Sequence, residues 1–496
     1  MTDASSGGVL TSVTTLARQQ AEHPDRHEVI FAFVPRSDTP AKEQIQQLTG
    51  PRVNVQQWST TTTIRRLIDL VHGLSRTLAR TQCDVVHLHS SRAGFLGRFI
   101  AVAVGGSARV VYSPHAFAFA QAGMHPHKRA IYLTLERMAV RWDSKLILVS
   151  ETERDVATKY LPGSRTAVLP NAVNTAELLG YKKPSASPRM SQPAGARIGT
   201  VAHAAVAQQG TKAATGNQVR SHGSREDRAA TDTLVRPDSA RPNGSRNQGG
   251  TPNGTRQDSA GPNGARADGS TPSGGQAGGV TPNGAQQTGG LPGKAATVRT
   301  IVHIGRIAEQ KAPTLFGSVI QLLDERLAEV PDLAARALWL GEGDRKLLGS
   351  NARFVEVSGW LAPDELRHKL AAADLVLFTS RGEGMPLALL EAQAIGLPIV
   401  ASKVTGVTDI VDHGRTGFLA DTAEELADHV FTLLRDDELR VQMGFAASHR
   451  SAAHFDQRSL AQRSLQAYLS LNLSGAADSI SSMERHPTHG SIEETK

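Results

Sequence analysis

A chain of 496 residues with one cysteine, Cys83, can close no intrachain disulfide and offers no thiolate cluster to a metal, so a reducing compartment, the cytoplasm, is the expected setting. No apolar run approaches the roughly 18 residues of a spanning helix. The opening MTDASSGGVLTSV lacks the basic start and apolar core of a signal peptide, so secretion by that route is not expected. Charge of one sign is not in large excess either: 54 Lys and Arg stand against 47 Asp and Glu, a net +7. So mild a bias favours an anionic partner without choosing among nucleic acid, a membrane surface and phosphorylated metabolites. Aromatic residues are scarce at 4%, and none lies between Tyr181 and Phe316.

That gap divides the chain. Residues 231–290 hold 14 Gly but only Leu234, Val235 and Val280 from the large apolar set, too little to offset the entropy of ordering. Pro242, Pro252, Pro262, Pro272, Pro282 and Pro292 fall ten residues apart, in units such as RPNGSRNQGG with no apolar face to stack. This predicts a flexible spacer rather than a solenoid. Residues 181–297 are therefore read as a disordered insert, of which about residues 190–293 could be excised with folding intact, with RIGTVAHAAV (197–206) as the place for a displaced strand. The polar tail 474–496 is expected to fray.

Both flanks alternate continuous apolar runs with helix-period stretches. In residues 1–180 the runs are EVIFAFV (28–34), DVVHLHS (84–90), ARVVYSP (108–114), KLILVS (145–150) and TAVLPN (166–171), with Ile64, Leu67, Ile68, Val71 and Leu78 marking a helix between the first two. In residues 298–473 they are TIVHIGR (300–306), ARALWLGEG (335–343), RFVEVSG (353–359), DLVLFTS (374–380) and PIVAS (398–402). Buried parallel sheets are the expectation, giving an α/β fold of two doubly wound Rossmann-like domains, with ligands beyond the carboxyl ends of the strands.

The sharpest pattern is SRGEGMPLALLEAQAIGLPIVAS, in which Glu383 precedes a Gly-Met-Pro turn and Glu391 follows eight positions later. Pro386 suits the first helical turn, which puts Glu383 in the strand-to-helix loop and Glu391 on the second turn of the helix. Free amides at such a helix start can hold an anion while a neighbouring carboxylate accepts hydrogen bonds from sugar or ribose hydroxyls. An exposed Glu and a dipole-favouring Glu explain the spacing equally well.

The two Glu with Gly-Met-Pro between them, followed by Thr405-Gly406, resemble the signature of the retaining glycosyltransferases of family 4, which have the two-domain GT-B fold. Supporting segments occur in that family's order: Gly7-Gly8-Val9, DVVHLHSSRAGFLGR (84–98), VVYSPHAF (110–117), KLILVSETERD (145–155), VLPNAVNT (168–175), GRIAEQKAP (305–313), LGEGDR (340–345) and VSGWL (357–361). The resemblance is strongest to bacterial exopolysaccharide, capsule and O-antigen enzymes. It implies transfer of a hexose-type unit from a nucleoside diphosphate sugar to a carbohydrate or lipid-linked acceptor, with no nucleic acid partner. It also implies no metal or other cofactor, in keeping with the lack of any Asp-x-Asp pair.

Position by position, the resemblance implies catalytic roles for His115, reaching the sugar from the first domain, and Glu383, facing the donor sugar. Arg306 and Lys311 match the pair that binds the donor diphosphate, Gly8 the glycine whose amide approaches it, and Met385, Pro386 and Leu387 the loop at sugar and phosphate. Two cations at a strand end can stabilise a leaving diphosphate without metal. Glu391 matches the residue holding ribose, and Ser358 and Gly359 the backbone beside the base. His87 and His89 are left as structural. Ser90, Ser91 and Arg92 are assigned to the acceptor side. The segment 125–142, with Lys128, Arg129, Arg137 and Arg141 interleaved with apolar residues, reads either as a helix resting on the inner face of the plasma membrane or as a core helix with a basic outer face.

Three alanines depart from the pattern: Ala116, Ala172 and Ala312 stand where the family has Gly, and left-handed backbone there would cost stability. Only seven residues precede Gly8, where a full strand is expected, so either the chain starts late or the sheet edge is incomplete. A GT-B sugar-nucleotide epimerase and a non-catalytic GT-B scaffold are the alternative readings.

Overall fold

A computed structural model describes residues 1–471 apart from 3–6, 26, 60–64, 81–82, 105–109, 122, 143–144 and 182–295. Residues 182–295 of the insert, with the segment 197–206, and the tail 474–496 lie outside the described residues, whereas Tyr181 and residues 296–297 are described and Thr297 already belongs to a strand.

Strands form where the apolar runs lie. The first lobe holds β1 (Ile30–Phe33), β2 (Asn54–Gln57), β3 (Val86–His89), β4 (Val110–Ser113), β5 (Lys145–Leu148) and β6 (Arg165–Val168). β1 pairs with β2, and β3 to β6 follow one another in order, every pair parallel. Thr2 bridges both Phe33 of β1 and His89 of β3, which joins the two pieces. The short element is thus in the middle of the sheet, not at its edge as expected. A cavity of about 530 Å³ opens beside it, lined by Phe31, Trp58, Leu74, Cys83 and His87 among others. The buried amino terminus of Met1 donates to His87 O at 2.7 Å.

The second lobe holds β7 (Thr297–Ile304), β8 (Leu333–Leu340), β9 (Val355–Val357), β10 (Leu375–Phe378), β11 (Ile399–Ser402) and β12 (Gly417–Ala420). They run parallel in the order β12-β11-β10-β7-β8-β9. Alternate residues of the same strands feed opposite faces. Val302, Ile304, Val376 and Phe378 pack with Leu389 and Leu390 on one side. Ile301, Leu375 and Leu377 pack with Phe316, Leu426 and Val430 on the other. Strand order reverses direction between β7 and β10, the point at which such sheets open a ligand crevice.

Two local expectations need correction. The helix Arg65–Arg80 buries Leu70, Leu74 and Leu78, whereas Ile68 and Val71 are 63% and 39% exposed, so the predicted face is rotated. Pro386 (φ −70°, ψ 116°) sits just ahead of the helix Leu387–Ile395 rather than in its first turn. The helix Leu460–Ser470, expected in the second domain, crosses back to the first lobe. There Leu460, Ala467, Tyr468 and Leu471 pack on Leu16, Val111, Ile147 and Leu169.

Candidate active site

The loops after β7 and β10, neighbours at the reversal point, carry the second-lobe half of the site. Lys311 ends a short 3-10 turn after β7, and its Nζ donates to Glu383 Oε1 at 2.7 Å; the two side chains are only 18% and 11% exposed. Nζ also lies 4.7 Å from the centre of the Phe378 ring, a second attraction holding it there. Thr379 Oγ1 donates to the carbonyl of Lys311 at 3.0 Å and pins the turn to the end of β10. Arg306, at the start of the same loop, is exposed. Gly341 packs so closely on this loop that a Cβ there would lie 2.2 Å from Gly305 O. Its N–H donates to Ser358 Oγ at 3.1 Å, which ties Ser358 and Gly359 to the loop of Arg306 and Lys311. Glu391, half-buried on the helix Leu387–Ile395, has its carboxyl pKa raised by burial, with Arg367 opposing the shift.

The first lobe meets this half through Gly8, Asn171 and the His115–Ala116 pair, among other contacts. The helix Gly8–Glu22 begins opposite Leu387, and a Cβ on Gly8 would stand 4.0 Å from Leu387 Cδ1. Two helix starts, each with unpaired amides and a partial positive charge, thus converge. Asn171 spans the boundary: it accepts Ser12 Oγ–H at 2.5 Å and donates to Met385 O at 2.8 Å. His115 and Ala116, after β4, lie against Gly384, where a Cβ would be 3.0 Å from His115 C and from Ala116 N. The Gly384 carbonyl in turn lies against Gly406 (φ 77°), which has no room for a side chain, while one at Gly384 would press on the His115–Ala116 backbone.

Four non-glycine residues among those described have positive φ: Ser90 (75°), His115 (54°), Ala116 (89°) and Ala312 (47°). All four adjoin the candidate site. Backbone strain of this kind persists where surrounding structure holds it, and it gathers at functional positions. The expected strain at Ala116 and Ala312 is present, whereas Ala172 is not among the positive-φ residues.

His115 Nε2 shares a hydrogen bond with His89 Nδ1 at 3.0 Å. His87 packs on His89 with ring centres 3.9 Å apart and bonds Ser113 Oγ (2.7 Å) and Tyr468 OH (3.0 Å). Burial lowers the pKa of all three imidazoles, that of His115 to about 4, so they are neutral near pH 7. A neutral His115 offers a hydrogen bond rather than a charge. Ser90 is followed by the helix Ser91–Ala103; Ser90 and Ser91 are partly exposed and Arg92 is exposed, one to three residues beyond His89.

Residues that sequence reasoning passed over complete the site: Asn171, Thr152, Glu153 and Asp409. Asp409 and Thr152 meet across the lobes at 2.5 Å, and Glu153 Oε1 accepts Ala116 N–H at 2.7 Å. The first lobe also buries Arg98 against Glu136 at 2.6 Å, with Tyr112 OH donating to the same carboxylate. No local pattern marks contacts between residues so far apart in the chain.

Residues 6–177 match the model of Glycosyltransferase Family 4, and residues 298–436 that of Glycosyl transferases group 1. D-inositol 3-phosphate glycosyltransferase of Pseudarthrobacter chlorophenolicus is 36% identical over 162 residues, which are 30% of this chain and 38% of that one. Sulfoquinovosyl transferase SQD2 of Arabidopsis thaliana is 34% identical over 158 residues, 30% of this chain and 29% of that one. The chain therefore spans only about a third of the length of these curated relatives. Among solved structures, Anabaena HepE in complex with UDP and glucose aligns with a TM-score of 0.55 at 17% identity, covering 94% of this chain and 97% of that one. Sucrose-phosphate synthase of Thermosynechococcus elongatus aligns at 0.57 and 16%, covering 95% and 94%. The chain accordingly has the GT-B fold, with a first lobe similar to Glycosyltransferase Family 4 and a second lobe similar to Glycosyl transferases group 1.

Proposed function

We propose that the protein moves a hexose-type sugar from a nucleoside diphosphate sugar to an acceptor hydroxyl with retention, in the synthesis of cell-envelope or extracellular polysaccharide. The observation that carries this reading is the facing pair of helix starts at Gly8 and Leu387, with the Lys311–Glu383 pair at 2.7 Å in the adjoining loops. Amides, Lys311 and Arg306 together meet the charge that gathers on the diphosphate as it leaves, so no divalent cation is invoked. Glu383 accepts hydrogen bonds from the donor sugar, neutral His115 approaches it from the first lobe, and Glu391 takes the ribose hydroxyls. Ser358 and Gly359 flank the base. The acceptor oxygen bonds to the anomeric carbon on the face the phosphate leaves, and the acceptor proton passes to the departing phosphate oxygen.

The acceptor enters beside Ser90, Ser91 and Arg92. The helix Pro126–Trp142 supports a lipid-linked acceptor: Lys128, Arg129, Arg137 and Arg141 are exposed together with Ile131 (59%), Tyr132 (40%) and Met138 (41%). Cations interleaved with exposed apolar side chains suit peripheral contact with an anionic membrane on its cytoplasmic side. Among the described residues no helix is long and apolar enough to cross a membrane.

A screen of UDP, GDP and ADP sugars for slow hydrolysis and for protection against unfolding tests the donor site. At least one nucleotide is expected to protect, chelator is expected to leave the rate intact, and the released or transferred sugar is expected to keep its anomeric configuration. Protection by none would remove the donor assignment, an absolute need for a divalent cation would remove the metal-free one, and an inverted product would remove retention.

A further inference from the structure

Glu153, 1% exposed, turns back from the helix Glu151–Tyr160 and engages backbone amides with both carboxylate oxygens. Oε1 accepts Ala116 N–H at 2.7 Å and Oε2 accepts Val149 N–H at 2.8 Å. Ala116 follows His115, and both hold the left-handed φ that L residues resist. Two such residues in succession stay in place only when something outside them fixes the backbone. The amide that Glu153 grips belongs to the second of the pair. On the far side, the same two residues press on Gly384, next in the chain to Glu383.

The groups facing Glu153 do not supply a cation. Asp409 from the second lobe is a like charge, His115 is held neutral, and burial lifts the Glu153 carboxyl to about 7. A buried carboxylate whose partners are two amides is a costly way to fill a core position. Its geometry instead suits a clamp on the strained loop.

Resting on the sugar-transfer reading, we propose that Glu153 is a positioning residue for His115, holding the His115–Ala116 backbone against Gly384 so that the imidazole meets the donor sugar.

Glu153→Gln leaves one acceptor oxygen for two amides. Its kcat is expected to fall on the order of 10- to 100-fold, as for a misplaced group. Donor KM and nucleoside diphosphate affinity are expected to stay within about two-fold of wild type, because the nucleotide side is untouched. Ala116→Gly adopts the positive φ without strain, so adding it to Glu153→Gln should return part of the lost kcat. A deficit that came merely from an unsatisfied Val149 amide would not respond. Glu153→Asp, too short to reach both amides, takes its place if the Gln variant does not fold. Wild-type kcat in the folded Glu153 variant, or a loss that Ala116→Gly leaves untouched, overturns the assignment. If the wild-type chain turns over no donor, the reading of the site fails, but the clamp is still measurable. Urea unfolding of the single and double variants should then be non-additive, and additive effects would overturn it.

Discussion

Asp409 of the second lobe caps a helix of the first. One carboxylate oxygen accepts the amides of Glu151 (2.7 Å) and Thr152 (3.3 Å), and the other accepts the Thr152 hydroxyl (2.5 Å). Thr152 Oγ1 accepts Gly406 N–H at 2.8 Å in return, so the cap reaches the loop against which Gly384 packs. Asp409→Ala should cost about 1–2 kcal/mol, the usual loss on removing a helix cap, and Asp409→Asn less, since it keeps an acceptor. Urea unfolding measures both; equal losses would mean that charge, not the cap, is what matters.

Lys311 and Glu383 compete with the donor for each other. Glu383→Gln should lower kcat while leaving nucleoside diphosphate affinity unchanged or tighter, because Lys311 loses its intramolecular partner. Lys311→Ala and Arg306→Ala should each weaken nucleotide binding, and Glu391→Gln should weaken it through ribose. Calorimetry and single-turnover rates separate these effects, and matching losses of nucleotide affinity in the two Glu variants would contradict the division of roles.

The alanines differ in a way that melting can read. Ala312, with φ 47° and αL geometry, caps the helix Pro313–Leu327, so Ala312→Gly should relieve strain and raise stability by up to about 1 kcal/mol. Ala172 is buried without positive φ, and Ala172→Gly should lower stability by about 1 kcal/mol. A rise in melting temperature for both would show that backbone conformation is not the cause.

The buried histidines and Glu153 should make stability depend on pH with opposite signs over overlapping ranges. Burial lowers the pKa of His87, His89 and His115 from 6.5, so their contribution is present above about 6.5 and is lost as pH falls, through about 4 for His115. Burial raises Glu153 from 4.5 to about 7, so its contribution is complete below 4.5 and is lost as pH rises through about 7. The two windows overlap between about pH 4.5 and 6.5, where the gain from the histidines as pH rises is partly offset by the loss from Glu153. Glu153→Gln should therefore steepen the rise in unfolding free energy between about pH 4.5 and 7; an unchanged slope would count against the buried carboxyl as the opposing group.

The strands were legible because both faces of each sheet are covered, which leaves runs such as KLILVS and DLVLFTS apolar throughout. β2, the polar segment NVQQ, and β12, the short GFLA, carry no such run and escape notice. Helix faces were harder to read: on Arg65–Arg80 the packing of Leu70, Leu74 and Leu78 overrides an equally apolar face through Ile68 and Val71. Glu383, Glu391, Lys311 and His115 stood out through a local pattern that resembles a family. Thr152, Glu153 and Asn171 lay inside segments of that pattern without standing out, and Asp409 lay outside it, since each acts through a backbone amide or carbonyl that only the folded chain brings near.

The return of helix Leu460–Ser470 to the first lobe makes the halves of this protein interlocking rather than modular. Each contains part of the other's core, because Tyr468 and Leu471 sit on Val111 and Ile147 while Val173 and Leu178 pack with Leu389 and Leu390. Residues 1–181 produced alone would leave that surface bare and prone to self-association, and residues 296–471 alone would carry an apolar helix with nothing to rest on. Supplied as two separate chains, the same segments have the means to find each other and reassemble, so that cutting the polypeptide between them would yield a non-covalent heterodimer instead of two free domains.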